Sequence, residues 1–171
     1  MARHFNIAGE LTQELLAPGS NTNVSKISLT NTQKVSKCKV DLYIEKVATG
    51  KFYLLKQVEL PIGATLIYDN IKFSNASNGF GLYIKLTDGA TFTLTGAINP
   101  TGTNTNVPGS GTAYLSQLSI GDEVVVSSET RVIDAITSDT AATVSVAWGS
   151  DLANDTTPDC NPTALVDVIL Q

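Results

Sequence analysis

The sequence predicts an all-β protein, an antiparallel β-sandwich of the jelly-roll or immunoglobulin-like type with a small inserted β-unit. Apolar residues recur at every second position from Val24 onward, which is the period of a strand buried on one face. Charged residues make up only 16% of the chain, and Thr, Ser, Asn and Gly fill the polar positions, as in strand-and-turn proteins. With 171 residues, the chain can bury one main core and a small satellite.

The main sandwich is predicted from short alternating segments separated by turns. Residues 40–54 alternate on both sides of an Ala-Thr-Gly turn, which predicts a β-hairpin. Pro61 ends the strand that follows. Alternation resumes over 65–69 and 82–86, whereas residues 70–81 read as a loop. Six or seven strands of this kind suit an antiparallel sandwich.

The second half of the chain predicts an insertion into this sandwich. Residues 91–112 are rich in Thr, Asn, Gly and Pro and read as a connector, and three short strands follow between 114 and 148. Residues 164–171 alternate again, so we expect this last strand to return to the first sandwich. The predicted domains are a main β-sandwich at 1–95 plus 162–171, and a connector with a small β-barrel-like insertion at 96–161.

Positive charge is confined to the first half of the chain. Residues 1–90 carry ten Lys and Arg against seven Asp and Glu, a net of +3, whereas residues 91–171 carry one Arg against nine acids, a net of −8. No lysine follows Lys85. Segregated charge of this kind favours a subunit that orients one end toward a partner.

The residues predict no catalytic site and no cofactor. His4 is the only histidine, and no acid or thiol lies near it in the sequence. No Gly-rich loop opens a helix, and no Ser occupies a nucleophile elbow. The first ten residues lack the apolar run of a signal peptide, and no apolar stretch is long enough to cross a bilayer. We therefore expect a soluble non-enzyme without a membrane partner.

Metal binding and disulfide formation are not expected either. Cys38 and Cys160 lie far apart in the sequence, and Cys38 continues an inward-facing apolar series, which predicts a buried structural thiol. Asp151, Asp155 and Asp159 recur at every fourth residue, but they lack the alternate-position ligands and central Gly of a calcium loop. They are predicted to form a solvated acidic loop, so no metal ligand is assigned.

Five residues are candidates for docking a partner. Lys34, Lys37 and Lys39 form a small basic cluster, but no aromatic residues are interleaved with them as nucleic-acid binding would require. Tyr43 and Tyr83 are predicted on the face opposite the apolar series, where they can anchor an interface. A sugar-stacking platform is the alternative interpretation of the exposed aromatic residues. Its candidate members are Tyr43, Tyr53, Tyr68, Tyr83 and Trp148.

Several segments together resemble small virion structural proteins of tailed bacteriophages, particularly those that infect marine cyanobacteria. The segments are 26–32, 40–44, 52–56, 60–66 and 82–85. Residues 109–112, 118–124 and 132–140 are similar to a small β-unit that recurs in phage tail and fibre proteins, where Gly121 and Asp122 would form a turn.

The resemblance implies a non-enzymatic, multi-copy component of a virion that is assembled in the host cytoplasm. The first expectation is a capsid decoration or cement protein, a homo-oligomer that binds the major capsid protein or other virion proteins and stabilises the shell. A neck, collar or tail-associated protein is the alternative, and a glycan-binding adhesin module is the second alternative. No nucleic-acid partner is expected, and a glycan is the less favoured ligand.

Overall fold

The computed structural model describes residues 2–152 and 154–171, and these form antiparallel β-sheets with one short helix, α1 (Tyr114–Gln117). The prediction of an all-β antiparallel sandwich is confirmed. The chain divides into two compact units. The first unit comprises Met1–Gln33, Lys37–Asp88 and Ala164–Gln171, and the second comprises Lys34–Ser36 and Gly89–Thr163.

Fifteen strands are numbered along the described chain. The first unit begins with β1 (Arg3–Ala8), β2 (Gln13–Leu16), β3 (Asn23–Asn31), β4 (Cys38–Lys46), β5 (Gly50–Leu60), β6 (Thr65–Ser74) and β7 (Gly81–Thr87). The second unit contains β8 (Phe92–Thr93), β9 (Ala97–Ile98), β10 (Asn106–Ser110), β11 (Glu123–Val126), β12 (Glu129–Ser138), β13 (Ala141–Val144) and β14 (Asp159–Asn161). Strand β15 (Leu165–Leu170) then belongs to the first unit.

The first unit is a jelly roll. Its two four-stranded sheets have the orders β1-β15-β3-β6 and β2-β7-β4-β5, and all neighbouring strands are antiparallel. Apart from the β4–β5 hairpin, each connection between its strands passes from one sheet to the other. Eight strands wound in this way form the double-sheet jelly roll. The C-terminal strand β15 lies between β1 and β3, in agreement with the expected return of residues 164–171 to the first sandwich.

The core of the first unit lies between its two sheets and follows the alternation of the sequence. On β4 the side chains of Val40 and Leu42 are fully buried, and on β7 those of Ile84 and Leu86 are. Strand β15 adds Val168 from the other sheet. Burying each of these side chains stabilises the fold by about 1.5–3 kcal/mol.

The second unit has a core of its own beneath an open seven-stranded sheet, ordered β8-β14-β11-β12-β13-β10-β9. The sheet ends at β8 and β9 and does not close into a barrel, in contrast to the predicted barrel-like insertion. Trp148, Tyr114 and Ile98 are the largest side chains buried there. The Nε1 of Trp148 donates a hydrogen bond to the carbonyl of Asn106 at 3.0 Å, which satisfies its buried polar group.

Three segments differ from the expectations drawn from alternation. Residues 91–112 contain β8 and β9, which are too short to show a period of two, and β10, whose Pro108 and Gly109 are typical of turns. Strand β6 continues to Ser74 through a register shift beside Asn70, whose positive φ of 58° accommodates the irregularity. The insertion is bounded by Asp88–Gly89 and Thr163–Ala164, whereas its predicted boundaries were at 95/96 and 161/162, and the short segment Lys34–Ser36 also belongs to the second unit.

Candidate partner-docking surface

Three tyrosines form a ladder across the outer face of the β2-β7-β4-β5 sheet. Tyr43 on β4 is paired in register with Tyr53 on β5 and with Tyr83 on β7. The ring centroids of Tyr43 and Tyr83 are 5.7 Å apart in a stacked arrangement, and those of Tyr43 and Tyr53 are 5.5 Å apart and tilted. Aromatic pairs at these distances stabilise a sheet beyond the area they bury.

The ladder is a small packed layer on an otherwise polar face. Tyr43 is only 1% exposed, although it points away from the main core, whereas Tyr53 is 43% exposed. The Tyr83 ring folds over Gly81, where an added Cβ would lie 2.7 Å from the ring. Tyr83 also donates a hydrogen bond from its hydroxyl to Glu14 Oε2 at 3.2 Å. Partial burial, reinforced by Glu14, raises the pKa of Tyr83 above its usual value.

The lysines of the β4–β5 hairpin lie over aromatic rings. Lys51 Nζ is 4.5 Å from the centroid of Tyr43, and Lys56 Nζ is 4.9 Å from that of Tyr53. Lys51 also donates a hydrogen bond to the Tyr43 hydroxyl at 3.2 Å, and this bond raises the pKa of the Lys51 ammonium. These distances are within the range of cation–π attraction.

A third lysine of the hairpin has a similar contact with an aromatic ring. Lys46 Nζ lies 5.9 Å from the ring of Phe80, which in turn makes an edge contact with Phe52. We call residues 46–56 the lysine–aromatic hairpin. This segment contains three lysines and no acidic residue.

The structure assigns the three lysines of the predicted basic cluster to two different units. Lys34 belongs to the second unit, where its Nζ donates hydrogen bonds to the carbonyls of Leu118 at 2.7 Å and Leu115 at 3.2 Å. Lys37 and Lys39 belong to the first unit and are exposed. Lys37 forms a salt bridge with Glu59 at 2.9 Å, and Lys39 lies opposite Glu59 in the strand register. The docking role of these three lysines stays a prediction.

Tyr43 and Tyr83 do lie on the face predicted for them, but the lysines beside them are Lys51 and Lys56. The register shifts of the bulge between β4 and β5 lie beside Leu42 and hide the position of Lys56, whereas Lys51 lies in unshifted register opposite Glu45. Gln57 has a positive φ of 52° in this bulge, and its backbone N–H donates to Asp41 Oδ1 at 2.6 Å. Only the spacing of lysines and aromatic residues within 46–56 could have drawn attention to this segment.

The remaining aromatic candidates do not extend the ladder. Trp148 is 1% exposed in the core of the second unit, with the Arg131 guanidinium 5.6 Å from its ring. Tyr68 packs against the core of the first unit. The aromatic residues therefore do not form one flat exposed patch for stacking a sugar.

The regularly spaced aspartates hold chain segments of the second unit together. Asp151 accepts a hydrogen bond from the Gly102 N–H at 2.7 Å, and Asp155 accepts one from Ser127 at 2.8 Å. Asp159 accepts one from the Thr93 hydroxyl at 2.9 Å. Within residues 2–152 and 154–171, no group of three or more His, Cys, Asp or Glu side chains is arranged to hold a metal ion.

Both cysteines are buried free thiols. Burial, with a smaller contribution from Asp88, raises the pKa of Cys38 to about 11. Burial likewise raises the pKa of Cys160, assisted by the charges of Asp122 and Glu123. His4 lies exposed on the edge strand β1. Thiols held in the protonated form are poor nucleophiles, so neither cysteine suits covalent chemistry.

No protein-family model, no curated protein and no solved structure matches this chain. Among the described residues, no helix has the length and apolar character needed to span a membrane. The strand order defines the class of the first unit as a jelly roll, and the aromatic ladder with its lysines lies on the outer face of one of its sheets.

Proposed function

We propose that this protein is a non-enzymatic structural component of a bacteriophage virion, a decoration or cement protein that binds the outside of the capsid shell. The observation that supports the proposal is the jelly-roll order of the first unit. Jelly rolls recur in viral capsid proteins and in lectins. This support is an analogy at the level of the fold, and it adds to the sequence resemblance to phage structural proteins.

The distribution of charge between the two units gives this proposal an orientation. The first unit carries nine Lys and Arg against eight Asp and Glu, a net of +1, and the second carries two against eight, a net of −6. A cement protein gains orientation on a shell when one part attracts the shell and the other is repelled by it. We propose that the first unit makes the contact with an acidic shell.

The buried Trp148 and the covered ring of Tyr43 disfavour the glycan-binding alternative, because stacking a sugar requires an exposed ring face. A neck, collar or tail position stays the alternative within the virion, since the same folds and contacts could serve there. The two positions differ in symmetry and therefore in the number of copies per particle.

Quantitative mass spectrometry of purified virions tests the proposal. A decoration protein should be present in hundreds of copies, in a fixed ratio to the major capsid protein. A neck or collar protein should be present in rings of roughly six or twelve copies. A count in that lower range would replace the decoration assignment with the neck alternative, and absence from the purified particle would overturn the virion assignment.

A further inference from the structure

The lysine–aromatic hairpin has the composition of an interface anchor. Val47 is 90% exposed, Phe52 49% and Tyr53 43%, so apolar surface stands beside Lys51 and Lys56. Interfaces concentrate aromatic side chains at their centres and charged groups around them. An isolated exposed apolar residue needs no explanation, but this segment combines three of them with a local charge of +3.

The lysines of the hairpin are held in place before any partner arrives. Lys51 is fixed by the Tyr43 ring and hydroxyl, and Lys56 is fixed by the Tyr53 ring. A long side chain normally loses rotamer freedom when it forms an ion pair at an interface. Because each ammonium group already contacts an aromatic ring, pairing with a carboxylate of a partner would cost these side chains less rotamer freedom.

The second unit presents the complementary charge. Its only two cations, Lys34 and Arg131, are both engaged within the unit. Lys34 donates to the carbonyls of Leu115 and Leu118, and Arg131 pairs with Glu129 and donates to the carbonyl of Ala147 at 3.0 Å. The eight acidic residues of this unit therefore leave its surface with an unbalanced negative potential.

Asp134 is the acid of this unit that is best placed to receive a partner. A register shift between Ile133 and Ala135 makes Asp134 the extra residue of a β-bulge on β12, and its side chain is exposed. Bulges re-aim side chains in this way. Over the described chain, the carboxylates of the other acids in this unit accept hydrogen bonds, whereas that of Asp134 accepts none. The exposed Val132 precedes it by two residues.

We propose that the lysine–aromatic hairpin of one copy docks on the second unit of another copy, with Lys51 and Lys56 facing Asp134. The contact joins two different surfaces, so copies associate through it either reciprocally in a two-fold dimer or head to tail in a ring or filament. The proposal concerns self-association, and it does not depend on the virion assignment above.

Two alternative ways of using the hairpin fit the structure less well. Pairing through the free edge of β5 is hindered by the bulge at Gln57, a device that protects sheet edges. Nucleic-acid binding would need ring faces for stacking bases, but lysines already cover the rings of Tyr43 and Tyr53. The net charge of −5 also opposes nucleic acid.

Analytical ultracentrifugation of the full chain tests the proposal through charge reversal. Wild-type protein should associate at about 50 mM salt and dissociate at about 500 mM, where the Debye length falls to a few ångströms. We expect K51E/K56E and D134K each to weaken association by about tenfold or more. Combining all three substitutions restores opposite charges across the contact and should recover most of the lost affinity.

Matched controls separate a specific contact from a general change in charge. K26E/K72E makes the same change in net charge on the opposite sheet, and D69K matches D134K on β6. Both controls should associate like wild type. Near-ultraviolet circular dichroism verifies that each variant is folded, and K51Q/K56Q serves as a milder replacement if K51E/K56E unfolds.

Three results would overturn the proposal. The first is a wild-type protein that stays monomeric at low salt. The lysine–aromatic hairpin would then have to bind an acidic partner other than a second copy. The second is equal loss of association in the controls. The third is failure of the combined variant to recover any affinity while it remains folded. Virion mass spectrometry addresses the proposed function separately, so each assignment can fail without the other.

Discussion

The carboxylate of Asp88 accepts a hydrogen bond from the backbone N–H of Ala164, with 2.7 Å between Oδ1 and the nitrogen. Asp88 is the last residue of the first unit before the insertion, and Ala164 is the first residue after it. The Asp88 N–H in turn donates to Glu10 Oε1 at 3.0 Å. The Asp88 side chain thus joins the last residue before the insertion to the first residue after it.

Replacing Asp88 should loosen this junction. We expect D88A to destabilise the first unit by about 1 kcal/mol, since a charge-assisted hydrogen bond is lost at an exposed position. D88N keeps an acceptor oxygen and should retain most of the stability. Urea unfolding followed by tyrosine circular dichroism measures the difference, and an unchanged midpoint in D88A would contradict the assigned role.

Asp122 is a buried residue of the second unit that contacts the end of the insertion. Replacing it should lower the free energy of unfolding more than replacing Asp88 does. The buried carboxylate accepts hydrogen bonds from the N–H groups of Ser119 at 2.7 Å and Thr163 at 2.9 Å. D122A would leave these donors unsatisfied in a buried site and should destabilise the unit by about 3 kcal/mol. Trp148 is the single tryptophan and lies in the core of this unit, so its fluorescence reports the unfolding. If D122A lowered the free energy of unfolding no more than D88A does, the buried hydrogen bonds of Asp122 would not have the role assigned to them.

The two thiols should resist modification until the protein unfolds. At pH 8 both are protonated in the folded state, because burial raises the pKa of Cys38 and of Cys160. A thiol-disulfide reagent should therefore label them only in denaturant, where both react. Rapid labelling of folded protein would show that one of them is accessible.

The raised pKa of Cys38 also predicts a loss of stability in alkali. The folded thiol titrates at about 11, whereas the unfolded thiol titrates at about 9.0. Between these values the unfolded state releases a proton that the folded state keeps, so the free energy of unfolding falls as pH rises. C38A should reduce this slope, which urea unfolding at several pH values between 8 and 11 measures. An identical slope in C38A would contradict the prediction.

Gly81 is required for the aromatic ladder. In G81A the new methyl group would displace the Tyr83 ring, because no Cβ can lie 2.7 Å from it. We expect the near-ultraviolet circular dichroism of the stacked tyrosines to change and the melting temperature to fall by several degrees. Y83F is the matched control, since it keeps the ring and loses only the bond to Glu14. An unaltered tyrosine signal in G81A would show that the ring does not rest on this glycine.

The parts of the fold that could be predicted are those in which local alternation and tertiary burial agree. Strand β4 buries Val40 and Leu42 between polar or outward-facing neighbours, and every second residue of β15 is buried. The strands β8 and β9 could not be predicted. Each has two residues, so only its partners define it.

The docking surface was predictable in part for the same reason. Because side chains alternate between the two faces of a strand, the sequence places Tyr43 and Tyr83 on the outer face, and their rings stack there. Alternation along the strands does not show that Lys34 belongs to the second unit. Lys34 lies in the β3–β4 connection, and three residues of this connection are part of that unit. Alternation also does not place Lys56 over Tyr53, because that contact depends on a bulge.

The position of β15 reverses the usual order in which a nascent chain acquires structure. Domains generally fold from the N-terminus while synthesis continues. Here β1 and β3 cannot be joined until the last strand emerges, since β15 lies between them and supplies Val166, Val168 and Leu170 to the core. The insertion, synthesised later than β1–β7, is complete before the jelly roll is. Ribosome-bound chains that end before residue 165 would thus expose an unfilled gap in the first sheet, where a chaperone or another nascent copy could bind.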